Sequence, residues 1–186
     1  MLAGDGLGGV SFGASGPDVV AAVTSTLGAP VSDQTTHWSN GVPVMEPGAT
    51  SMNTRAESWN QPVSRTVCWG LHGGMCVDLG GDADDDLRFV GWFMIDPILS
   101  MPNGLGIGSR VSDFPALGPT LQPESCTDAW GTFRDVAIGV HATAVPFLTV
   151  DTDGNEIPQQ PDPTTLVVDT MQAGYNGDND GQVCAG

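Results

Sequence analysis

The stretch that decides the fold covers residues 6–30 and reads GLGGVSFGASGPDVVAAVTSTLGAP. Its first part predicts a short strand through Val10 and Phe12, because these apolar residues alternate with small ones and glycines bound the run. Ser15 has the side chain of a helix N-cap, and Pro17 is tolerated in the first turn of a helix. The stretch therefore predicts a strand, a tight glycine turn and a helix that begins after Ser15.

The same stretch predicts which face of this helix is buried and where the helix ends. Asp18 falls in the first turn, where a carboxylate interacts favourably with the positive end of the helix dipole. Glycine favours a helix C-cap and proline cannot continue a helix, so the helix should end at Gly28–Pro30. Between these ends, apolar residues recur at helical spacing and form one stripe: Val19, Val20, Val23 and Leu27.

A similar opening returns about 95 residues later as GLGIGSRVSDFPALGP, residues 104–119. Alignment of Gly108 with Gly13 places Asp113 where the first helix has its N-terminal aspartate. Pro115 and the glycine and proline that follow then shorten the second helix. Because the order of strand, glycine turn, capped helix and stop occurs twice, we predict an internal repeat.

Strand-like runs follow both openings, and their spacing and turn residues fit a meander of antiparallel strands. We therefore predict an α+β fold with two similar units, residues 1–96 and 97–186, each a short helix packed on an antiparallel β-sheet meander. A long loop is predicted for residues 42–53. The main predicted strands are residues 64–69, 75–79, 87–95, 133–142, 147–151 and 165–171.

Charge is the strongest constraint on function. The chain has 22 acidic residues against five basic ones, all of them arginine, and a net charge of −17 at pH 7. This charge repels phosphate backbones and anionic lipids, so we expect no nucleic-acid binding and no role at a membrane surface. It favours solubility in salt, cation binding or a partner with a basic surface. No apolar run reaches the roughly 18 residues of a membrane-spanning helix, so we predict no membrane span.

The four cysteines, Cys68, Cys76, Cys126 and Cys184, favour export. An even number without a CxxC pair, in a glycine-rich chain, fits two disulfides better than a metal site. Cys68 and Cys76 flank a segment suited to a hairpin loop, which favours their pairing and leaves Cys126 for Cys184. The sequence still allows three pairings, and four buried thiols are the alternative. The N-terminus has no signal-peptide pattern, which fits a mature exported domain and also a cytosolic protein; the cysteines lead us to predict an extracellular or cell-envelope location.

The opening GLGGVSFG-x-S-x-x-D-V-V, residues 6–20, resembles the start of uncharacterised exported proteins and lipoproteins of high-GC Gram-positive bacteria. A tandem helix-plus-sheet unit with one disulfide per unit is similar in plan to the beta-lactamase inhibitory protein, and its folding unit resembles that of small outer-membrane lipoproteins. The resemblance implies export and this fold. It assigns no catalytic residue, because the shared motif residues are structural. The shortened second helix and the loop at residues 42–53 depart from the inhibitory protein.

The sharpest local motif is NGDNDGQVC, residues 176–184. Oxygen-bearing side chains at Asn176, Asp178 and Asp180, followed by glycine, are arranged as in loops that wrap calcium. The segment resembles the extracellular calcium motif D-x-D-x-D-G-x-x-C, with asparagine in place of the first aspartate. Calcium is therefore the one cofactor for which the sequence offers a candidate site, and an acidic turn clipped by a disulfide is the alternative.

The sequence contains no zinc-protease HExxH motif, no GxSxG elbow and no Walker loop. Tryptophans near polar loops are therefore the leading sign of function, because such rings anchor protein interfaces and stack on sugars. We predict that Trp38, Trp59 and Trp69, with His72, contact a protein partner with a basic surface. Partial burial of these tryptophans at a sheet edge is the alternative.

These observations predict a secreted or envelope-associated, non-catalytic protein-binding module. Two alternatives remain. A carbohydrate-binding module would use the same three tryptophans to bind a glycan. A hydrolase would need a site assembled only in space, with His72 near Asp78 or His141 near Asp135 as the base.

Overall fold

The structure, a computed structural model, describes residues 1–40, 42–44, 61–115 and 117–174. Within these residues the chain forms one α-helix and mostly antiparallel β-sheets, which is compatible with the predicted α+β class. The helix is α1 (Gly16–Leu27). The strands are β1 (Leu2–Ala3), β2 (Gly6–Leu7), β3 (Val10–Ser11), β4 (Ser32–Ser39), β5 (Val42–Val44), β6 (Val63–Trp69), β7 (Met75–Gly81), β8 (Arg88–Met94), β9 (Gln122–Pro123), β10 (Asp128–Phe133), β11 (Val136–Ala142), β12 (Leu148–Val150), β13 (Glu156–Pro158) and β14 (Leu166–Ala173).

Helix α1 has the ends that the sequence predicts. The Ser15 side chain accepts a hydrogen bond from the backbone N–H of Asp18 at 3.3 Å, which is an N-cap. Gly28 forms the C-cap with φ of 86°, a backbone conformation that favours glycine. On the apolar stripe Val19 and Val23 are buried. The capped ends and the buried stripe together confirm the predicted helix.

The first compact unit is centred on residues 5–94. Its strands pair antiparallel in the order β5-β4-β6-β7-β8, and α1 packs against this sheet. Gly16 brings the two layers close: its N–H donates to the Leu87 carbonyl oxygen at 2.8 Å, and a Cβ there would lie 2.9 Å from Leu79 Cδ1. The loop predicted for residues 42–53 begins with a strand, β5, and its remainder lies outside the described residues.

The second compact unit is centred on residues 95–172, together with Met1–Gly4. Four strands pair antiparallel in the order β14-β11-β10-β9, and β12 and β13 form a separate hairpin. The strand predicted over residues 133–142 is confirmed over Val136–Ala142, which is β11, but its predicted start is wrong. Arg134 and Asp135 take positive φ angles of 51° and 62° and turn the chain from β10 into β11. Two residues with positive φ are typical of a tight hairpin turn.

The second helix does not form among the described residues. The position predicted for it holds a 3₁₀ turn at Val111–Asp113, and a second 3₁₀ turn follows at Gly118–Thr120. The Asp113 side chain still accepts a hydrogen bond from the Arg110 N–H at 3.2 Å, as an N-terminal aspartate should. Pro115 then removes a backbone donor two residues later, so the turn cannot propagate into a helix.

The two openings share a backbone turn even though only the first leads into a helix. Gly13 and Gly108 both have φ of 85°. The Gly13 N–H donates to the Phe89 carbonyl oxygen and the Gly108 N–H donates to the Val168 carbonyl oxygen, each at 2.8 Å. The same turn therefore meets β8 in the first unit and β14 in the second.

The strands that accept these hydrogen bonds, β8 and β14, each contain a β-bulge. The β7–β8 register shifts so that β8 has one extra residue, Val90, immediately after the partner of the glycine turn. The β11–β14 register shifts in the same way, and the extra residue of β14 is Asp169. Such a β-bulge re-aims the side chains around it.

One predicted disulfide is present. Cys68 and Cys76 are directly opposite on β6 and β7 and form a disulfide, which confirms their pairing. Cys126 is also disulfide-bonded, and no cysteine is free in the described part of the chain. Cys184, its predicted partner, lies outside the described residues. None of the described helices combines the length and the apolarity that crossing a membrane requires.

Leu79→Ala tests the packing of α1 on its sheet. Leu79 is 1% exposed, so its truncation should lower the free energy of unfolding by about 2–5 kcal/mol. Leu71→Ala is the matched control: Leu71 is 78% exposed, and its truncation should change stability by less than about 0.5 kcal/mol. Urea unfolding followed by tryptophan fluorescence measures both; equal losses would contradict the packing described here.

Candidate functional site

The four residues predicted to contact a partner do not form one surface among the described residues. Trp69 is 0% exposed, and its indole N–H donates to the Gly28 carbonyl oxygen at 3.1 Å, so its prediction as a surface anchor is wrong. Trp38 is half-buried and donates to the Ser64 hydroxyl at 2.8 Å. His72 belongs to the 3₁₀ turn Leu71–Gly73. Trp59 lies outside the described residues.

The predicted calcium residues Asn176, Asp178 and Asp180 also lie outside the described residues. Calcium at that segment stays a prediction. The sites described below therefore come from other parts of the chain.

A histidine–aspartate pair forms on the sheet of the second unit, but the partner of His141 is not Asp135. Asp135 lies in the turn before β11, whereas Asp128 lies directly across from His141 in the β10–β11 register. The His141 Nδ1 atom is 2.8 Å from Asp128 Oδ1. Cross-strand pairs on one face are close enough for such contacts, and it is this register that joins the two residues.

The hydroxyl groups of neighbouring residues hold Asp128 in place. Its Oδ2 atom accepts hydrogen bonds from Ser125 Oγ at 2.6 Å and Thr127 Oγ1 at 3.2 Å. Partial burial acts to raise the pKa of Asp128, but hydrogen bonds from Ser125, His141 and Thr127 outweigh it and lower the pKa below its ordinary value. Asp128 is therefore a fixed, ionised carboxylate.

Asp169 enters the same site because it is the extra residue of the β14 bulge. A Cβ at Gly139 would lie 3.3 Å from Asp169 Oδ1, so the missing side chain of this glycine leaves room for the carboxylate. Partial desolvation raises the pKa of Asp169, although its side chain still reaches solvent. A hydrogen bond with Thr170 opposes this rise, and the negative charge of Asp128 adds to it.

Asp128 and Asp169 line a pocket of about 280 Å³. Glu124 and Trp130 also line it, and the Trp130 indole N–H donates to the Glu124 carboxylate. Three acidic side chains and no basic one are among the described residues that line the pocket. A pocket with this lining can hold a cation, and Asp128 can orient His141 as a general base.

The described residues also contain a set of groups that could hold a metal ion. Asp128, His141 and Asp169 each offer one ligand atom, and the three atoms lie within 4.8 Å of one another. Carboxylate oxygen and imidazole nitrogen are common ligands of transition-metal ions.

The equivalent positions on β6, β7 and β8 of the first unit do not carry these side chains, although the register around the bulge is the same. The two bulges align Asp169 with Val90 and, on the neighbouring strand, His141 with Gly80. The residue paired with each of these on the next strand then aligns Asp128 with Ser64. The sheet therefore forms without a histidine or a carboxylate at these positions.

Only one of the three residues of this site, His141, could be placed on an exposed face from the sequence. The alternation of β11 indicates that His141 points away from the core, and the structure shows it exposed. The partner Asp128 depends on register, and Asp169 depends on a bulge that breaks the alternation of β14. Neither feature can be deduced from local sequence pattern.

No family model, no curated protein and no solved structure matches this chain.

Asp169→Asn and Asp128→Asn test the electrostatics of the pocket, because both remove one negative charge from the chain. The raised pKa of Asp169 means that its ionised form destabilises the fold, so its favourable contribution is present at low pH and lost as pH rises. Asp169→Asn should therefore stabilise the protein slightly at pH 7, because the side chain still reaches solvent, and this gain should vanish at low pH.

Asp128→Asn should have the opposite effect. The lowered pKa of Asp128 means that its ionised form stabilises the fold, so the variant should lose stability at pH 7 and the loss should shrink as pH falls through the lowered pKa. Urea unfolding between pH 3 and 7, in the presence of a chelator, measures both variants. If both variants changed the free energy of unfolding at pH 7 in the same direction, the opposite pKa shifts of Asp128 and Asp169 would be contradicted.

Proposed function

We propose that this protein is an exported, non-catalytic binding module of the extracellular space or the cell envelope, and that its partner is a protein with a basic surface. Disulfides support export, since they persist in oxidising compartments. The net charge of −17 supports a basic partner, because opposite charges steer association and disfavour wrong partners.

The observation that carries this proposal is a surface in the first unit that we call the β4–β5 face, defined by Asp33, His37, Val42, Val44 and Asp84. Val42 and Val44 are 63% and 47% exposed. They lie opposite Ser39 and His37 in the β4–β5 register, so both valines share one side of the sheet with His37. Exposed apolar side chains grouped on one face are typical of an interaction surface.

Acidic groups border these valines. His37 Nε2 lies 3.0 Å from Asp84 Oδ1, which joins the acidic turn between β7 and β8 to strand β4. Asp33, farther along β4, accepts two hydrogen bonds from Arg65 at 2.7 and 2.6 Å. The other aspartates of this turn, Asp82, Asp85 and Asp86, are exposed, and Asp86 accepts hydrogen bonds from Arg88. An apolar centre with an acidic border suits a partner that presents apolar side chains among arginines and lysines.

The proposal includes an origin by internal duplication, which would give two similar units as in the inhibitory protein that the sequence resembles in plan. The shared turn at Gly13 and Gly108 supports it. The bulges at Val90 and Asp169 support it independently, because they occur at the same distance from the turn partner. The 3₁₀ turn at Val111–Asp113 is then a helix truncated by Pro115.

Val42→Asp with Val44→Asp tests the β4–β5 face. The immobilised protein is used to isolate its ligand from the fluid around the cells that produce it, and the purified ligand is then titrated by surface plasmon resonance. We expect a basic protein whose affinity falls with salt. The double variant should weaken binding at least tenfold, because it places charge at the apolar centre of the interface.

Val150→Asp is the matched control, since Val150 is 41% exposed on a strand of the other unit. It should leave the affinity within about twofold of the original protein. A ligand that binds the double variant and the original protein equally, or a ligand with an acidic surface, would overturn the proposal.

Hydrolysis is a second candidate function, favoured by the 2.8 Å contact between His141 and Asp128 beside a pocket. Asp128 would hold the imidazole through Nδ1, leaving Nε2 to take a proton from water. Chromogenic esters, phosphoesters and glycosides test it. If one is turned over, His141→Ala should lower the rate by about 10²–10⁴-fold. His37→Ala, which removes the other exposed histidine paired with an aspartate, should not; no turnover of any substrate would exclude this candidate for these three bond types.

A further inference from the structure

We propose that Asp128, His141 and Asp169 form a binding site for one divalent transition-metal ion of the zinc class. This inference goes beyond the proposed partner binding and does not depend on it, because the β4–β5 face and this cluster contain no residue in common. The ion would be held by one nitrogen and two carboxylate oxygens.

The positions of the ligand atoms support the assignment. The three atoms lie within 4.8 Å of one another, and the closest pair, His141 Nδ1 and Asp128 Oδ1, is 2.8 Å apart. Two ligands of a tetrahedral zinc ion are separated by about 3.3 Å, given metal–ligand distances of about 2.0–2.1 Å. The ion would replace the hydrogen bond between Nδ1 and Oδ1, and the Asp169 oxygen, within 4.8 Å of both atoms, would be its third ligand.

The chemistry of the ligands selects the class of ion. An imidazole nitrogen is a common ligand of zinc, copper, nickel and iron, whereas calcium and magnesium prefer sites made of oxygen atoms. Two carboxylates supply a charge of −2, which balances a divalent ion. Two aspartates near one another repel each other in the free protein, and a bound cation relieves that repulsion.

The surroundings resemble those of a metal centre with an accessible coordination position. Hydrogen bonds from Ser125 and Thr127 orient Asp128, and Thr170 interacts with Asp169, as the second layer around a metal site usually does. The adjoining pocket of about 280 Å³ gives room for water or a ligand oxygen at the fourth position of the ion.

The comparison between the two units supplies an independent argument. The corresponding positions in the first unit are occupied by Ser64, Gly80 and Val90, and the same bulged register forms there. The backbone therefore does not require the three ligating side chains. The fold alone therefore does not explain why these three side chains meet in the second unit, whereas a bound metal ion would.

Isothermal titration of the chelator-treated full-length protein with zinc tests the proposal, and cobalt, whose visible absorption reports tetrahedral coordination, gives a second measurement. We expect one zinc ion per chain at this site. His141→Ala and Asp169→Asn should each weaken zinc binding at least tenfold and abolish the cobalt absorption. His141→Asn replaces His141→Ala if circular dichroism shows that the alanine variant does not fold.

Two controls separate this site from others. His37→Ala removes the imidazole of the exposed His37–Asp84 pair, which is not part of a three-residue ligand cluster among the described residues, and should leave zinc affinity unchanged. Asp178→Asn with Asp180→Asn alters the predicted calcium segment and should also leave it unchanged. Absence of zinc binding, an unchanged affinity in the His141 and Asp169 variants, or loss of the ion only in a control variant would overturn the proposal.

Discussion

The rest of the first unit depends on a pair of hydrogen bonds between a glycine turn and strand β8. The Gly13 N–H donates to the Phe89 carbonyl oxygen, and the Phe89 N–H donates to the Ala14 carbonyl oxygen, both at 2.8 Å. The turn requires φ of 85° at Gly13, which costs other residues free energy. Since Ser15 caps the helix immediately afterwards, these two bonds fix where α1 begins relative to the sheet. The buried stripe of α1 then faces the strands because the helix has no freedom to start elsewhere.

The same constraint operates in the second unit with a different outcome. There the turn at Gly108 meets β14, and the chain that follows cannot continue as a helix because of Pro115. The bulge next to the turn is nevertheless retained. In the first unit the extra residue is Val90, and in the second it is Asp169. One backbone irregularity thus accommodates an apolar side chain in one unit and a carboxylate beside a polar pocket in the other.

Local signals in the sequence were sufficient for the helix and for the general fold class. Ser15, the apolar stripe and Gly28 each act within a few residues, so their effects could be predicted. The Cys68–Cys76 pair was also predictable, because a short loop brings the two residues opposite one another. The burial of Trp69 was not predictable, because this residue neighbours a polar loop in sequence but lies on the inner side of β6, where only the three-dimensional packing decides its burial.

The cluster of Asp128, His141 and Asp169 shows why function was harder to predict than fold. Asp128 meets His141 through the hairpin formed by β10 and β11. The sequence pattern predicts an uninterrupted strand over residues 133–142 and misses this turn, because Arg134 and Asp135 do not have the pattern of a usual hairpin turn. Asp169 meets them only because a bulge interrupts the alternation of β14. Each step is a departure from regular periodicity, and sequence patterns detect only the regular part.

The carboxylates of the β4–β5 face and those of the pocket differ in how much they are exposed to water. On the β4–β5 face the carboxylates are exposed and screened by water, so they act mainly on the rate and selectivity of association. In the pocket, Asp128 and Asp169 are partly desolvated and close to each other, so their repulsion is stronger and must be offset by donors or by a cation. The hydroxyl groups of Ser125 and Thr127 stabilise Asp128, but the pKa of Asp169 stays raised. A bound divalent ion would remove this remaining electrostatic cost, which no neutral side chain described at the site does.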